Sequence, residues 1–188
     1  MSIFDEIKES VENYFSEFSR QYNQSRRWKE YHLGPTLTHC PICAERNNKI
    51  YEIYNVPGLP EHEKCKCYLS WLKMLYAGTA TKLKQNGADY YLRYFNKLPD
   101  YYITKEQAKS LGWISVKGNL DKVAPGKMIG GNIFYNDKNK LPTKDGRLWY
   151  ECDIDYQGGY RNNSRIIYSN DGLIFMTDSH YINFVEVV

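Results

Sequence analysis

The segment that decides the fold lies at residues 148–169 and has the sequence LWYECDIDYQGGYRNNSRIIYS. Polar and apolar residues alternate from 149 to 156, a Gln-Gly-Gly-Tyr turn signal follows, and a second strand-like run occupies 163–169. Strand alternation sends Glu151, Asp153 and Asp155 to one face of a sheet and the intervening Cys152 to the other. This pattern predicts a β-hairpin with one acidic face.

The returning strand brings cations to the same hairpin. Arg161 and Arg165 lie four residues apart and therefore share a face. Acids beside arginines make either an anion-handling surface or a solvated ion-pair network that contributes little to stability. Patterning alone leaves both interpretations open.

Further strand-like runs surround this hairpin and are separated by Gly, Asn and Asp turns, which is typical of an antiparallel meander. They lie at Ile129, Ile133-Phe134, 173–177 and 181–187. Helical patterns precede them, over Leu83–Asn96 and after a Thr104-x-x-Gln107 capping box. Helices followed by strands predict an α+β domain, with helices packed on a multi-stranded antiparallel sheet.

The 188-residue chain is long enough for one large or two small domains. Residues 1–78 hold 10 Lys+Arg against 10 Asp+Glu, whereas residues 79–188 hold 15 against 12 and account for the whole net charge of +3. Four of the five cysteines and three of the four histidines lie in the first part. We therefore predict two domains, 1–78 and 79–188.

The first domain is predicted to be small and mainly helical. Apolar residues from Phe4 to Tyr22 recur every three or four positions, and a second helical pattern covers Tyr68–Ala77. No run approaches the roughly 20 apolar residues of a bilayer span, and the start, MSIFDE, lacks the basic end and apolar run of a signal peptide. We expect a soluble protein without a signal peptide.

His180 is the only histidine of the second domain, at a predicted strand start. With Glu151 and the arginines it could form a general acid/base pair around an anion, or it could be an ordinary surface or packing residue. Cys152 is expected to be a buried small hydrophobe. Trp113 and Trp149 are expected in the core. Phe134 and Tyr181 could both stack on bases; a strand aromatic such as Phe134 is more often a core residue, whereas Tyr181, next to His180, is expected at the site.

From Asn86 onward the chain resembles barnase-like extracellular bacterial ribonucleases. The resemblance rests on ordered runs, which are KLPD (97–100), YITK (102–105), LGW (111–113), KGNL (117–120), VAPGK (123–127), IGG (129–131), KLP (140–142), Asp153-Ile154, Arg161-Asn162, Asp178 and His180-Tyr181. It implies the microbial ribonuclease fold over about a hundred residues. It also implies a metal-independent endoribonuclease that acts on single-stranded RNA and leaves a 2′,3′-cyclic phosphate.

Residue by residue, the resemblance makes Glu151 the general base and His180 the general acid. It makes Arg161, Arg165 and Lys105 the ligands of the phosphate and its transition state. Asp153 is expected to orient an arginine. The expected substrate-binding residues are Phe134, Asn136, Asp137, Asp153 and Tyr181.

The chain departs from the family in the base-recognition loop. Asn136 is kept, but Asp137 stands where the family has an arginine and Lys138 where it has a glutamate that reads the base. We expect guanine preference to persist through Asp137. A barstar-like inhibitor is the implied partner, although the lost arginine removes positive charge from the rim that it would meet.

The first domain holds Cys40-Pro41-Ile42-Cys43 followed by His62 and the pair Cys65-Lys66-Cys67. These are zinc-type ligands, and we expect a structural zinc on Cys40, Cys43 and Cys65 with either His62 or Cys67 as the fourth ligand. Reduced structural thiols or two disulfides are the alternatives.

Residues His39–Cys67 also resemble the C-terminal part of MuF-type phage head-morphogenesis domains, through Cys-x-x-Cys followed by His-x-x-Cys-x-Cys. This resemblance implies phage head or portal components as partners and a toxin as cargo. The protein would be made in the cytoplasm and be virion-associated or delivered to a target cell. The alternative is a catalytically inactive ribonuclease-like adaptor or virion protein that binds nucleic acid or a protein.

Overall fold

A computed structural model describes Val11, residues 27–81 and residues 87–188. The chain divides into two compact units between Leu72 and Lys73. This division falls slightly before the boundary predicted at residue 78, because Met74-Leu75 pair with a strand of the second unit. The helix predicted over Phe4–Tyr22 lies outside the described residues except for Val11.

The described part of the first unit is built on a three-stranded antiparallel sheet with the order β2-β1-β3. The strands are β1 (Trp28–His32), β2 (Ile50–Glu52) and β3 (Tyr68–Trp71), and helix α1 (Pro41–Arg46) lies between β1 and β2. A 3-10 turn covers Ile53–Asn55. Trp28 and Tyr31 of β1 are fully buried and form the centre of this unit.

The helix predicted over Tyr68–Ala77 is wrong, and so is a mainly helical character for residues 27–72. Tyr68 and Trp71 pair with His32 and Lys29 of β1, and the next residues form β4 (Met74–Leu75) in the second unit. Short aromatic runs satisfy helical and strand periodicity equally well. Here β1 supplies backbone hydrogen-bond partners, and pairing with β1 makes residues 68–71 a strand.

The second unit contains a seven-stranded sheet with the order β4-β10-β9-β8-β7-β6-β5. Strands β6 to β10 form the predicted antiparallel meander, and β4 and β5 add parallel pairs at its two edges. The strands are β5 (Tyr102–Ile103), β6 (Met128–Phe134), β7 (Trp149–Asp153), β8 (Arg165–Ser169), β9 (Ile174–Thr177) and β10 (Val185–Val187).

Among the described residues of the second unit, three helices precede the meander, as predicted for an α+β domain. They are α2 (Ala88–Phe95), α3 (Lys105–Ser110) and α4 (Leu120–Val123), with a 3-10 turn at Ser115–Lys117. The Thr104–Gln107 capping box opens α3 as predicted. In the described ranges no helix combines the length and apolarity that a membrane crossing requires.

The helices cover one face of the sheet and leave the other to the site. Ala88 and Leu92 of α2 pack with Cys152, Ile154 and further strand residues in the main core. A second core joins Ala108, Trp113, Leu120, Ala124 and Ile129 beneath the start of β6. Cys152, Trp113 and Trp149 are buried as predicted. The acids that alternate with Cys152 and Ile154 therefore face away from the helices.

Candidate active site

A cleft of about 590 Å³ lies on the sheet face opposite the helices. It is bordered by β6, β7, β8 and the loops after β6 and β9. Five residues that the sequence assigned to catalysis line it, namely Lys105, Glu151, Arg161, Arg165 and His180. The fold thus brings together groups that are up to 75 positions apart in the chain.

Glu151 lies on the floor of the cleft with 5% of its surface exposed. Lys105 Nζ donates to one carboxylate oxygen at 2.5 Å, and the Tyr181 hydroxyl donates to the other at 2.5 Å. Burial raises the pKa of Glu151, but these two hydrogen bonds and the charges of Lys105 and Arg161 outweigh it and leave the pKa lowered. Glu151 is therefore ionised and can accept a proton.

A β-bulge opens the strand beside Glu151. The register between β6 and β7 shifts from Gly130 opposite Cys152 to Asn132 opposite Glu151. The extra residue, Gly131, has φ +83°, a conformation that favours glycine. The Asn132 side chain then accepts the backbone N–H of Lys105 at 3.0 Å, so the bulge also fixes the start of α3, from which Lys105 reaches Glu151.

Asp153 holds the two arginines at the cleft wall. Arg161 donates to both carboxylate oxygens, at 2.7 and 2.6 Å, and Arg165 Nε lies 2.9 Å from one of them. Burial lowers the pKa of Arg161, but the bonds and charge of Asp153 more than offset it and raise that pKa. Asp153 is 1% exposed. It therefore orients the guanidinium groups, and the hairpin face is not a solvated ion-pair network.

His180 and Tyr181 do not start a strand, which corrects the sequence prediction. Strand β10 begins only at Val185, and both residues lie in a turn with φ of +52° and +68°. The Thr177 hydroxyl accepts the backbone N–H groups of Ser179 and Tyr181 and holds the turn. The left-handed backbone leaves His180 exposed at the mouth of the cleft, where a substrate can reach it.

Phe134 is not a core residue, contrary to the expectation for a strand aromatic. It is partly exposed, lines the cleft and stacks on Tyr181, with ring centroids 5.1 Å apart and planes inclined by 29°. This pair forms an aromatic wall beside Glu151. Such a wall suits a planar, apolar ligand group such as a nucleobase.

The loop after β6 presents Asp137 and Lys138 to the cleft. Asn136 is buried, with φ +47°, and its side chain is fully engaged with the backbone of Leu141, donating at 2.9 Å and accepting at 3.1 Å. Asn136 therefore shapes the loop that lines the cleft. Asp137 and Lys138 are both exposed.

Several residues of the cleft were not identified from the sequence. They are Ile133, Tyr135, Lys140, Ile182 and Phe184. Lys140 Nζ donates to the backbone carbonyl of Ile182 at 2.9 Å and so connects the loop after β6 to the loop before β10. No spacing rule relates these two loops. Only the exposed aromatic Tyr135, next to Phe134, offers a sequence signal.

The cysteines and His62 of the first unit form two overlapping groups of possible metal ligands. Cys40, Cys43 and His62 have ligand atoms within 4.8 Å of one another, and the same holds for Cys43, Cys65 and Cys67. Each of the five residues predicted as ligands thus belongs to one of these two groups. Cys43 is shared by both groups and is 1% exposed.

Comparison with known proteins covers the second unit. A model of the ribonuclease family matches residues 84–188. A curated ribonuclease of Heyndrickxia coagulans is 53% identical over 100 residues, which are 53% of this chain and 91% of that relative. Ribonucleases of Bacillus intermedius and Bacillus pumilus are each 53% identical over 100 residues, which cover 61% of their length.

Proposed function

Because the chain belongs to the ribonuclease family and is an endoribonuclease, we propose that it cleaves single-stranded RNA by 2′-hydroxyl transesterification without a metal ion. The observation that supports this proposal best is the shared cleft. Ionised Glu151 lies there with His180 and two arginines oriented by Asp153. A proton acceptor, a proton donor and cations around one anion are what this reaction requires.

The reaction proceeds in one displacement at phosphorus. Glu151 accepts the proton of the ribose 2′-hydroxyl as the 2′-oxygen bonds to the adjacent phosphorus. The bond from phosphorus to the 5′-oxygen breaks, and His180 donates a proton to that oxygen. The products are a 2′,3′-cyclic phosphate and a free 5′-hydroxyl.

Arg161, Arg165 and Lys105 stabilise the charge that develops on the non-bridging oxygens. Charge-assisted hydrogen bonds to an anion are stronger than neutral ones, and donors held in place beforehand need no reorganisation. Asp153 holds the two arginines in place beforehand, because its carboxylate binds both guanidinium groups. Lys105 approaches from the start of α3 and is the more exposed cation.

The decisive experiment measures cleavage of a single-stranded oligoribonucleotide in EDTA. We expect the wild type to remain active and Glu151→Gln and His180→Gln each to lower kcat/KM by about 10²- to 10⁴-fold. Glu106→Gln, on the exposed side of α3, is the matched control and should leave the rate unchanged. Phosphorus NMR of the products should detect a 2′,3′-cyclic phosphate.

Activity that disappears with EDTA, or that survives both substitutions, would contradict the mechanism. A wild-type protein that binds RNA but does not cleave it would favour the alternative of an inactive ribonuclease-like adaptor. That alternative does not account for the coordinated arrangement of Glu151, Asp153 and the two arginines, which a binding module does not need.

Guanine preference is the proposed base specificity. Asp137 faces the cleft and can accept hydrogen bonds from the N1 and N2 donors of a guanine stacked against the Phe134–Tyr181 wall. Adenine offers no such pair of donors. We expect faster cleavage of GpN than of ApN dinucleotides, and Asp137→Asn should reduce this preference roughly 10- to 100-fold. Asp100→Asn is the exposed control, and equal rates on GpN and ApN by the wild type would refute the assignment.

A toxin role is proposed on the same basis, with a barstar-like inhibitor as partner. An unrestrained endoribonuclease harms the cell that holds it, and the cations of the cleft suit an acidic inhibitor. The resemblance of residues 39–67 to MuF-type domains supports phage head or portal components as partners of the first unit. Growth arrest on expression of the wild type, relieved by Glu151→Gln, would support the toxin role.

A structural zinc in the first unit is the remaining proposal. It is supported by two groups of three thiol and imidazole side chains, each with ligand atoms within 4.8 Å of one another, that share Cys43. Zinc would have no part in the cleavage reaction. It would hold α1 and the segment before β3 together.

A further inference from the structure

The zinc-ligand candidates in the first unit number five, whereas a structural zinc takes four ligands in a tetrahedron. We infer that the ion is held by Cys40, Cys43, Cys65 and Cys67, and that His62 lies outside its coordination sphere. This assignment rests on the proposed structural zinc and deepens it by naming the ligands.

The segment with Cys65 and Cys67 is suited to provide two ligands to one ion. Residues in a Cys-x-Cys pair point to opposite sides when they lie in a strand. Strand β3 begins only at Tyr68, so both cysteines precede it. Their sulfurs lie within 4.8 Å of each other and of Cys43 Sγ, and the Cys43 and Cys65 sulfurs are 3.9 Å apart. Sulfurs bound to one zinc at about 2.3 Å lie about 3.8 Å from each other.

Donors to the sulfurs of Cys40 and Cys43 favour these two thiolates as ligands. The backbone N–H of Cys43 donates to Cys40 Sγ at 3.3 Å, at the start of α1. Such outer hydrogen bonds stabilise metal-bound thiolates and orient them.

Cys43 lies at the centre of the arrangement and is supported from β1. The Tyr31 hydroxyl donates to Cys43 Sγ at 3.3 Å, and both residues are almost completely buried. A ring nitrogen of His62 lies within 4.8 Å of the Cys40 and Cys43 sulfurs, but His62 is exposed, whereas Cys67 is partly buried and lies with Cys43 and Cys65. Four thiolates and one zinc carry a net charge of −2, and the exposed Lys64 and Lys66 lie on the same segment to offset it.

Gly34 holds the Cys65–Cys67 segment close to the sheet. A Cβ atom at Gly34 would lie 2.2 Å from the carbonyl oxygen of Lys66, the residue between the two cysteines. Any larger residue at this position must therefore push the segment away. Gly34 is thus a positioning residue for the zinc site.

The test uses the full chain and measures metal binding directly. We expect one zinc per chain by elemental analysis, and after exchange to Co²⁺ the absorption bands of a tetrahedral thiolate site. His62→Ala should keep the zinc content and the Co²⁺ spectrum of the wild type. Cys67→Ser should weaken Co²⁺ binding at least about 100-fold, and Tyr31→Phe and Gly34→Ala about 10-fold or more.

The outcomes separate the two proposals. A wild-type chain that binds no zinc overturns the structural zinc and the ligand assignment together. A chain that binds zinc but loses it in His62→Ala, and retains it in Cys67→Ser, overturns the ligand assignment alone. The thiolates are counted in a Cys152→Ala variant, because Cys152 is buried in the other unit and is not a proposed zinc ligand.

Discussion

Glu151 is subject to two opposing influences on its ionisation. Burial favours the neutral acid, whereas the hydrogen bonds from Lys105 and Tyr181 and the nearby cations favour the carboxylate. The second influence dominates, so the pKa lies below that of an ordinary glutamate. The proposed general base is therefore ionised at a lower pH than an ordinary glutamate would be.

The hydrogen bond from Tyr181 contributes measurably to this low pKa. Tyr181→Phe keeps the ring beside Phe134 but removes the donor to Glu151 Oε2. The pKa of Glu151 should then rise, and the acid limb of the kcat/KM profile should move up by about one pH unit. The measurement is the pH dependence of kcat/KM for a dinucleotide substrate.

Tyr160→Phe is the control for this experiment. It removes a tyrosine hydroxyl that donates to the Val116 carbonyl and does not line the cleft. Its acid limb should coincide with that of the wild type. An unmoved acid limb in Tyr181→Phe, with cleavage retained, would mean that Tyr181 does not set the ionisation of Glu151.

At the level of elements, an ion pair connects the segment before β7 to the turn between β8 and β9. Arg147, before β7, donates through Nε and Nη2 to Asp171 in the turn between β8 and β9, at 2.8 to 3.1 Å. The hydrogen bonds from Arg147 lower the pKa of Asp171 to about 2, against the opposing effect of burial. Ser169 also donates to Asp171, at 2.6 Å.

Asp171→Asn should lower the free energy of unfolding at pH 7 by about 1–2 kcal/mol, since Arg147 is nearly buried and Asp171 is partly solvated. The folded-state pKa is depressed, so this stabilisation is complete above the unfolded pKa of about 4. It is lost as the pH falls from about 4 towards about 2. Urea unfolding at several pH values measures both effects.

Asp145→Asn, an exposed change in the preceding loop, should leave the stability unchanged at all these pH values. If the difference in free energy of unfolding between the wild type and Asp171→Asn stays constant down to pH 2, the ion pair is not the source of that difference.

For the whole molecule, residues 73–78, which end the first predicted domain, belong to the second unit with the ribonuclease residues. Strand β4 pairs with β10, the Ala77 N–H donates to the carbonyl of Val188 at 2.8 Å, and the Gly78 N–H donates to Asp89 Oδ2 at 2.6 Å. Asp89 is fully buried in α2. Loss of one of its donors leaves a buried carboxylate poorly satisfied.

We therefore expect fragment 73–188 to be more stable than fragment 79–188, by roughly 2–4 kcal/mol. Both fragments retain every residue of the cleft. The measurement is urea unfolding followed by circular dichroism, with RNA cleavage as a check on the native state. Equal stabilities would place the functional boundary at residue 78.

Local patterns were sufficient for much of the fold. The capping box predicted α3, the alternation at 149–156 predicted which side chains share a face, and the turn signals predicted the meander. The edge strands β4 and β5 and the strand at Tyr68–Trp71 were missed or misassigned. Two- to four-residue segments have no periodicity of their own, so their conformation depends on the strand beside them.

The sequence by itself determined which residue types belong to the site, because the resemblance to barnase-like ribonucleases covers Glu151, Arg161, Arg165 and His180. Only the tertiary structure decided how they act together. The wall formed by Phe134 and Tyr181 and the hydrogen bonds that ionise Glu151 join residues that are far apart in the chain. Such contacts depend on sheet register and loop closure, which no local spacing encodes.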